Sequence, residues 1–294
     1  MTTEHDKKEP DTTGHVWDGI REYDNPMPRW WLWTFYITII WGIGYTIARP
    51  AWPLIEGATP GISGYSTRAE VAKDIEAVNE ANAGATQELA SIELALLSGN
   101  SELQQYAVNA GAAIFRANCS QCHGSGAAGV QASGYPNLLD DDWLWGGAID
   151  DIAYTITHGI RNEQSPDSRW SQMPAFGEIL SEEEIAAAVN YVRSISDQEH
   201  DAALAAQGAE IYLEQCSACH GEAGMGDPTI GAPNLVDAIW LYGGSEEHLT
   251  ETITYSRFGV MPAWGEEYRP GGGGLDQAEI NAVAAYVHQL GGGE

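Results

Sequence analysis

Cys119-Ser120-Gln121-Cys122-His123 and Cys216-Ser217-Ala218-Cys219-His220 are the two stretches that decide how this chain is read. In C-x-x-C-H the two thiols lie on one side of a helical turn. Each can add to one vinyl group of a porphyrin, and the following histidine then aims its imidazole at the iron. All four cysteines of the chain sit in these motifs, so none remains for a disulfide. Paired cysteines can also hold zinc, but zinc ribbons separate their pairs by about 15–20 residues, and here 94 positions separate Cys122 from Cys216. A histidine directly after each pair is something zinc does not require. The pattern predicts two covalent haem c groups on Cys119, Cys122, Cys216 and Cys219, with His123 and His220 as proximal ligands.

Working outward, the motifs belong to an internal repeat with an offset of 97 residues. Gly111-x-x-Ile114-Phe115 matches Gly208-x-x-Ile211-Tyr212, Pro136-Asn137-Leu138 matches Pro233-Asn234-Leu235, and Thr155-Ile156 matches Thr252-Ile253. After Gly159 the first copy carries nine extra residues before Met173-Pro174-Ala175-Phe176, whose partner is Met261-Pro262-Ala263-Trp264. Each copy ends in an amphipathic pattern with acids at its start, Ser181 to Ser194 and Asp276 to Leu290, as a helix dipole favours. Two tandem, mainly helical domains are expected, 110–196 and 207–294, joined by an alanine-rich linker at 197–206.

Each iron needs a sixth ligand. Of the five methionines, Met173 and Met261 hold equivalent places, and the proline after each stiffens the loop. Read within each copy, Met173 pairs with His123 on haem 1 and Met261 with His220 on haem 2. Met225 follows His220 by only five residues, on the wrong face, and has no counterpart. His5, His15, His158, His200, His248 and His288 are unmatched by the repeat and read as surface or structural. Histidine–methionine ligation raises the reduction potential relative to bis-histidine and leaves no open site. It predicts a carrier of electrons with no catalytic residue of its own.

The rest of the chain is anchor and charge. Trp30 to Ala48 runs 19 residues without a charge. As a helix it is about 28 Å long, close to the roughly 30 Å of a bilayer core, with Trp30, Trp31, Trp33 and Trp52 suited to the two interfaces. A 29-residue leader with seven acids does not fit a cleavable signal peptide. The expected layout is a tail at 1–28, an uncleaved transmembrane helix at 29–52, and a linker with a helical arm at 53–109. That arm is a helix from Ser66 to about Leu97, bent or broken at 82–86. Four basic residues precede the span, which favours a cytoplasmic N-terminus. Thirteen basic against 42 acidic residues give a formal charge of −29. Such a chain is excluded from nucleic-acid binding; its acidity fits a solvated, salt-tolerant surface or a docking field for a basic partner, and both can hold at once. With 44% hydrophobic residues it can still build cores.

The two repeats resemble class I cytochromes c, in which the helix before the haem motif packs on the helix after the methionine; Gly111, Phe115 and Tyr191 fall at such contacts. The whole layout is more specific. GHVWDGIREYDNPMPRWWLWTFYITIIWGIGY, then PAWP, then G-x-x-GYS-x-R-x-x-V and two cytochrome c domains resembles the dihaem subunit (subunit III) of cbb3-type cytochrome c oxidases. The resemblance implies a bacterial inner-membrane subunit with periplasmic haem domains. It would pass electrons from a donor cytochrome c or the bc1 complex to the monohaem subunit, and on to the haem-copper catalytic subunit that reduces O₂ and moves protons. Two alternatives stay open: a dihaem peroxidase, which needs one iron able to open, and a dihaem carrier for another respiratory complex.

Overall fold

A computed structural model describes residues 11–237 and 239–293. The first ten residues of the expected tail, with His5, Lys7 and Lys8, and Glu294 at the end of the second domain lie outside the described residues. The chain divides into two compact units, one reaching Ala81 and one starting at Asn82.

In the first unit the expected tail contains a hairpin. Strands β1 (Thr12–Trp17) and β2 (Ile20–Tyr23) pair antiparallel. Asp18 and Gly19 both take positive φ between them, as a tight two-residue hairpin turn requires. Helix α1 (Arg29–Ala48) follows, with no buried residue along its length. The hydroxyls of Thr34, Thr38 and Thr46 donate to backbone carbonyls of the same helix, so these three polar groups are satisfied within α1, as a bilayer favours. Its last carbonyls are capped by the loop beyond it: Ile62 N donates to Ile47 O at 3.0 Å, and Ser63 donates to Ala48 O from both its N and its Oγ. Gly61 allows this approach, since a Cβ there would lie 2.6 Å from the Ala48 carbonyl oxygen. Arg49 stacks on the Tyr65 ring, 3.9 Å from its centroid. The short strands β3 (Pro53–Leu54) and β4 (Gly57–Ala58) form a second small hairpin.

Helix α2 (Thr67–Ser91) passes from the first unit into the second. The expected break at 82–86 does not occur: Gly84 costs a helix about 1 kcal/mol, but alanines flank it and Ala85 and Leu89 pack into the second unit's core. There α2 ends in a 3₁₀ turn (Leu94–Gly99), and the Asn281 side chain donates to Leu89 O at 2.8 Å.

The second unit is helical: α3 (Ser101–Ile114), α4 (Ser120–His123), α5 (Ile149–His158), α6 (Glu182–Ile195), α7 (Ala202–Gln215), α8 (Ser217–His220), α9 (Glu246–Tyr255) and α10 (Gln277–His288). The expected linker is shorter than the sequence suggests, because Ala202 onward already forms α7. Only residues 196–201 connect α6 to α7, closed by Asp201 N donating to Asn190 Oδ1 at 2.8 Å. A link this short makes consecutive helices antiparallel neighbours.

The repeat predicts that α6 packs on α3 and α10 on α7. The structure exchanges them: α6 lies on α7 and α10 on α3. The two contacts are built alike. A Cβ on Gly111 would stand 2.1 Å from Ala282 O, and one on Gly208 would stand 2.1 Å from Ala187 O. Phe115 meets Tyr286 with ring centroids 5.4 Å apart, and Tyr212 meets Tyr191 at 4.9 Å. One body is therefore α3, α4, α5 and α10, and the other is the contiguous run α6 to α9. Gly111→Ala must push α10 away from α3. We expect it to cost about 1–3 kcal/mol, read as a lower thermal midpoint of the haem-loaded chain.

Candidate functional site

Each C-x-x-C-H motif occupies a one-turn helix after the glycine-bearing helix of its body. Cys119 ends a short π-helical turn (Phe115–Cys119) that re-aims the chain into α4, and Cys216 caps α8. None of the four cysteines is tied up in a disulfide. Burial, with the neighbouring motif thiol adding, pushes Cys119 and Cys216 up to about 11, so both thiols are protonated at neutral pH. His123 and His220 are held alike. Nδ1 of His123 faces Pro136 O at 3.3 Å and Nδ1 of His220 faces Pro233 O at 3.0 Å. A carbonyl can only accept, so Nδ1 carries the proton and Nε2 keeps a lone pair for iron. Burial lowers the pKa of both imidazoles against the smaller opposing effect of the carbonyl, which keeps them neutral, as a ligand must be. These thiols and imidazoles fit haem c. Among the described residues no group of three His, Cys, Asp or Glu could hold a bare metal ion.

The repeated Pro-Asn-Leu tripeptide, legible in the sequence but without a role there, is the support for the histidines. Its proline carbonyl takes the imidazole proton. The Asn137 and Asn234 side chains accept from Leu139 N and Val236 N, and Leu138 N and Leu235 N donate back to Ala127 O and Gly224 O. The proton on Nδ1 is thus fixed by a loop that is itself tied twice.

The helix exchange moves the methionines with it. Met261 trades both backbone hydrogen bonds with Ile160, at 3.0 Å each, just beyond α5. It packs against the core that contains Phe115, Cys119 and Leu138. Met173 takes the equivalent place in the other body, where Ser256 Oγ, just beyond α9, donates to its carbonyl. The structure thus joins each methionine loop to the body that holds the histidine of the other repeat, where pairing within each copy had set Met173 with His123 and Met261 with His220. The cause is the short α6–α7 link, which carries Met173 and α6 onto α7.

Other candidates fall elsewhere. Met225 is 61% exposed. His158 bonds Ser165 and packs between Tyr154 and Tyr268, and His200 bonds Gln198 O. His15 stacks on Trp17 in the hairpin. Between the two bodies, Tyr242 fills the space beside Gly134 and Trp145 the space beside Gly231, a pair of equivalent contacts that the repeat alone did not reveal.

One electrostatic tension sits at this junction. Burial, followed by Asp237, Asp140 and Asp141, pushes the Asp142 carboxyl up to about 6. A raised carboxylate pKa means stability that is full below the unfolded value, near 4, and lost as pH rises through about 6. Asp142→Asn should therefore raise the thermal midpoint at pH 8 and leave it unchanged below about pH 4, measured by unfolding across that range.

Comparison with known proteins agrees along the chain. Residues 9–56 match the family described as the N-terminal domain of cytochrome oxidase-cbb3, FixP. Residues 107–192 and 203–287 match cytochrome c oxidase, cbb3-type, subunit III. The chain is 60% identical over 288 residues to the cbb3-type cytochrome c oxidase subunit CcoP of Cereibacter sphaeroides, covering 97% of this chain and 96% of that one. It is 50% identical over 292 residues to CcoP of Rhodobacter capsulatus, covering 98% of each. It is 46% identical over 284 residues to FixP of Sinorhizobium medicae, covering 97% and 95%.

Proposed function

The chain belongs to the subunit III family of cbb3-type cytochrome c oxidases, and from that premise we propose that His123 and Met261 hold the iron of one haem c and His220 and Met173 the iron of a second. Its role is that of the electron-transferring cytochrome c subunit of such an oxidase. The observation that carries the crossed pairing is the backbone exchange between Met261 and Ile160, inside the body that holds His123.

A bound haem c supplies an iron that gains and loses one electron. What the chain contributes is a fixed environment. Nδ1–H of each histidine rests on a proline carbonyl, which fixes the tautomer and would leave the Nε2 lone pair to hold the iron. Each methionine comes from a proline-stiffened loop. The Met173 and Met261 thioethers would serve as iron ligands, which raise a haem's potential relative to bis-histidine. Iron held by a histidine and a methionine would carry electrons without offering peroxide a site, which speaks against the peroxidase reading. Oxygen chemistry falls to the haem-copper catalytic subunit, reached through the monohaem subunit.

Helix α1 anchors the chain in the membrane. Basic residues before it favour a cytoplasmic N-terminus, which leaves both haem bodies in the periplasm. The donor is a cytochrome c or the bc1 complex. A basic donor cytochrome fits best, since acids exceed bases 42 to 13 and such a field speeds encounter.

Met261→Leu tests the pairing. In a chain whose Cys216 and Cys219 are also replaced by alanine, one covalent haem remains, on Cys119 and Cys122. We expect Met261→Leu to lower the potential of that haem in a redox titration, while Met173→Leu in the same background leaves it unchanged. The reverse result would restore pairing within each repeat. For docking, electron entry into the intact complex should slow as salt rises, because screening shortens the reach of the acidic surface. Stopped-flow reduction by a basic cytochrome c across ionic strengths checks this, and a flat response would remove the docking role.

A further inference from the structure

The two chain crossings that exchange the methionines meet at one side chain. Arg161 follows α5, and its guanidinium donates from Nε to Gly259 O and from Nη1 to Ser171 O, both at 2.7 Å. Gly259 lies two residues before Met261, and Ser171 lies two residues before Met173. One cation thus grips both methionine loops at equivalent positions. Its own backbone is part of the same crossing: Arg161 N donates to Arg169 O at 2.8 Å, and its neighbour Ile160 is the residue paired with Met261.

Three features set this arginine apart from a surface cation. It takes a left-handed φ of 51°, which a residue with a side chain adopts only where its surroundings impose it. No carboxylate forms an ion pair with it among the described residues, although Arg169, Arg193 and Arg257 each have one. Burial pushes its pKa down from the ordinary arginine value, with Tyr242 beside it acting in the opposite direction. A half-buried charge without a counter-ion needs strong acceptors; its hydrogen bonds go to the two loop carbonyls, and the centroid of the Phe258 ring lies 5.8 Å from the guanidinium carbon. The planar fork of a guanidinium directs donors along fixed, divergent lines, so it can hold two separate carbonyls in register. An ammonium is a point charge on a flexible stem and cannot.

We propose that Arg161 is a positioning residue for both sixth ligands, a single clamp that fixes the Met261 and Met173 loops together and so couples the ligation of the two haems. The inference rests on reading these methionines as ligands. It adds that the two sites are not independent. Loosening the clamp frees both thioethers, although Arg161 touches neither.

The test uses the full-length haem-loaded chain in detergent and reads two properties of each haem. One is the long-wavelength absorption of methionine-ligated ferric haem, and the other is the reduction potential. Arg161→Gln should weaken that absorption and lower the potential at both haems at once. Met261→Leu and Met173→Leu should each affect one haem. Arg161→Lys should leave one haem near its wild-type state, since an ammonium can serve one carbonyl at a time. If Arg161→Gln changes one haem or neither, while each methionine variant behaves as a ligand loss, the clamp is overturned. If the methionine variants change nothing, the ligand reading fails and takes the clamp with it. Should Arg161→Gln yield no haem-loaded protein, Arg161→Lys decides: one haem altered supports the clamp, and both at wild-type values overturn it.

Discussion

The six residues between α6 and α7, 196–201, constrain everything else in the haem-bearing unit. So short a connection leaves α6 no path back to α3, and it folds instead onto α7 as an antiparallel neighbour. The surface of α3 around Gly111 must then be covered by the other helix with the right small-residue profile, and α10 supplies it with Ala282 and Tyr286. The second body is in effect a contiguous segment, from the Met173 loop through α9, set into the first between α5 and Met261. Neither repeat covers its own glycine-bearing helix: α10 of the second packs on α3 of the first, and α6 of the first on α7 of the second.

Charge is distributed in keeping with this economy. After residue 100 the chain has six arginines and no lysine. Arg169 pairs with Asp151 of α5 at 2.8 Å and lies near the rings of Tyr154 and Trp145. Arg257 pairs with Glu251 and lies near Tyr242, and Arg269 stacks on Trp264 while donating to Ala263 O. Arg193 joins α6 to α9 through Glu246. Exposed pairs of this kind contribute little each, about 0–1 kcal/mol. Their value lies in fixing geometry around the methionine loops and the junction of the two bodies. Unpaired acids that face solvent cost little and can attract a cationic partner, whereas Asp142 at the junction is partly buried and does not escape that cost.

Some of what the structure holds was legible residue by residue. Asp18-Gly19 between HVW and IREY is a strong hairpin signal, yet the polar composition of the first 28 residues hid it. Gly61, in the G-x-x-GYS stretch, has a visible reason only when the end of α1 is present to be capped. The Pro-Asn-Leu repeat marked a loop worth keeping twice, but its partner is an imidazole 13 residues away in the chain, beyond the reach of local pattern. The run at 82–86 suggested a break because glycine and asparagine are weak helix formers; tertiary packing of Ala85 and Leu89 overrode them.

The sequence by itself determined where the two C-x-x-C-H motifs lie and, with the family, that haem c is the cofactor they imply, because thiol spacing and the adjacent histidine are local chemistry. It marked the candidate membrane helix, because 19 uncharged, mostly apolar residues are long enough to cross a bilayer core. It determined the repeat, the methionines and, through the family, the role in electron transfer. It could not say which methionine faces which histidine. Two equivalent loops and two equivalent crevices admit two pairings with identical local patterns, and only the length of a connection and the packing of α6 and α10 across the repeats choose between them. The clamp at Arg161 lies beyond the sequence for the same reason: its two acceptors are brought together only by the crossing.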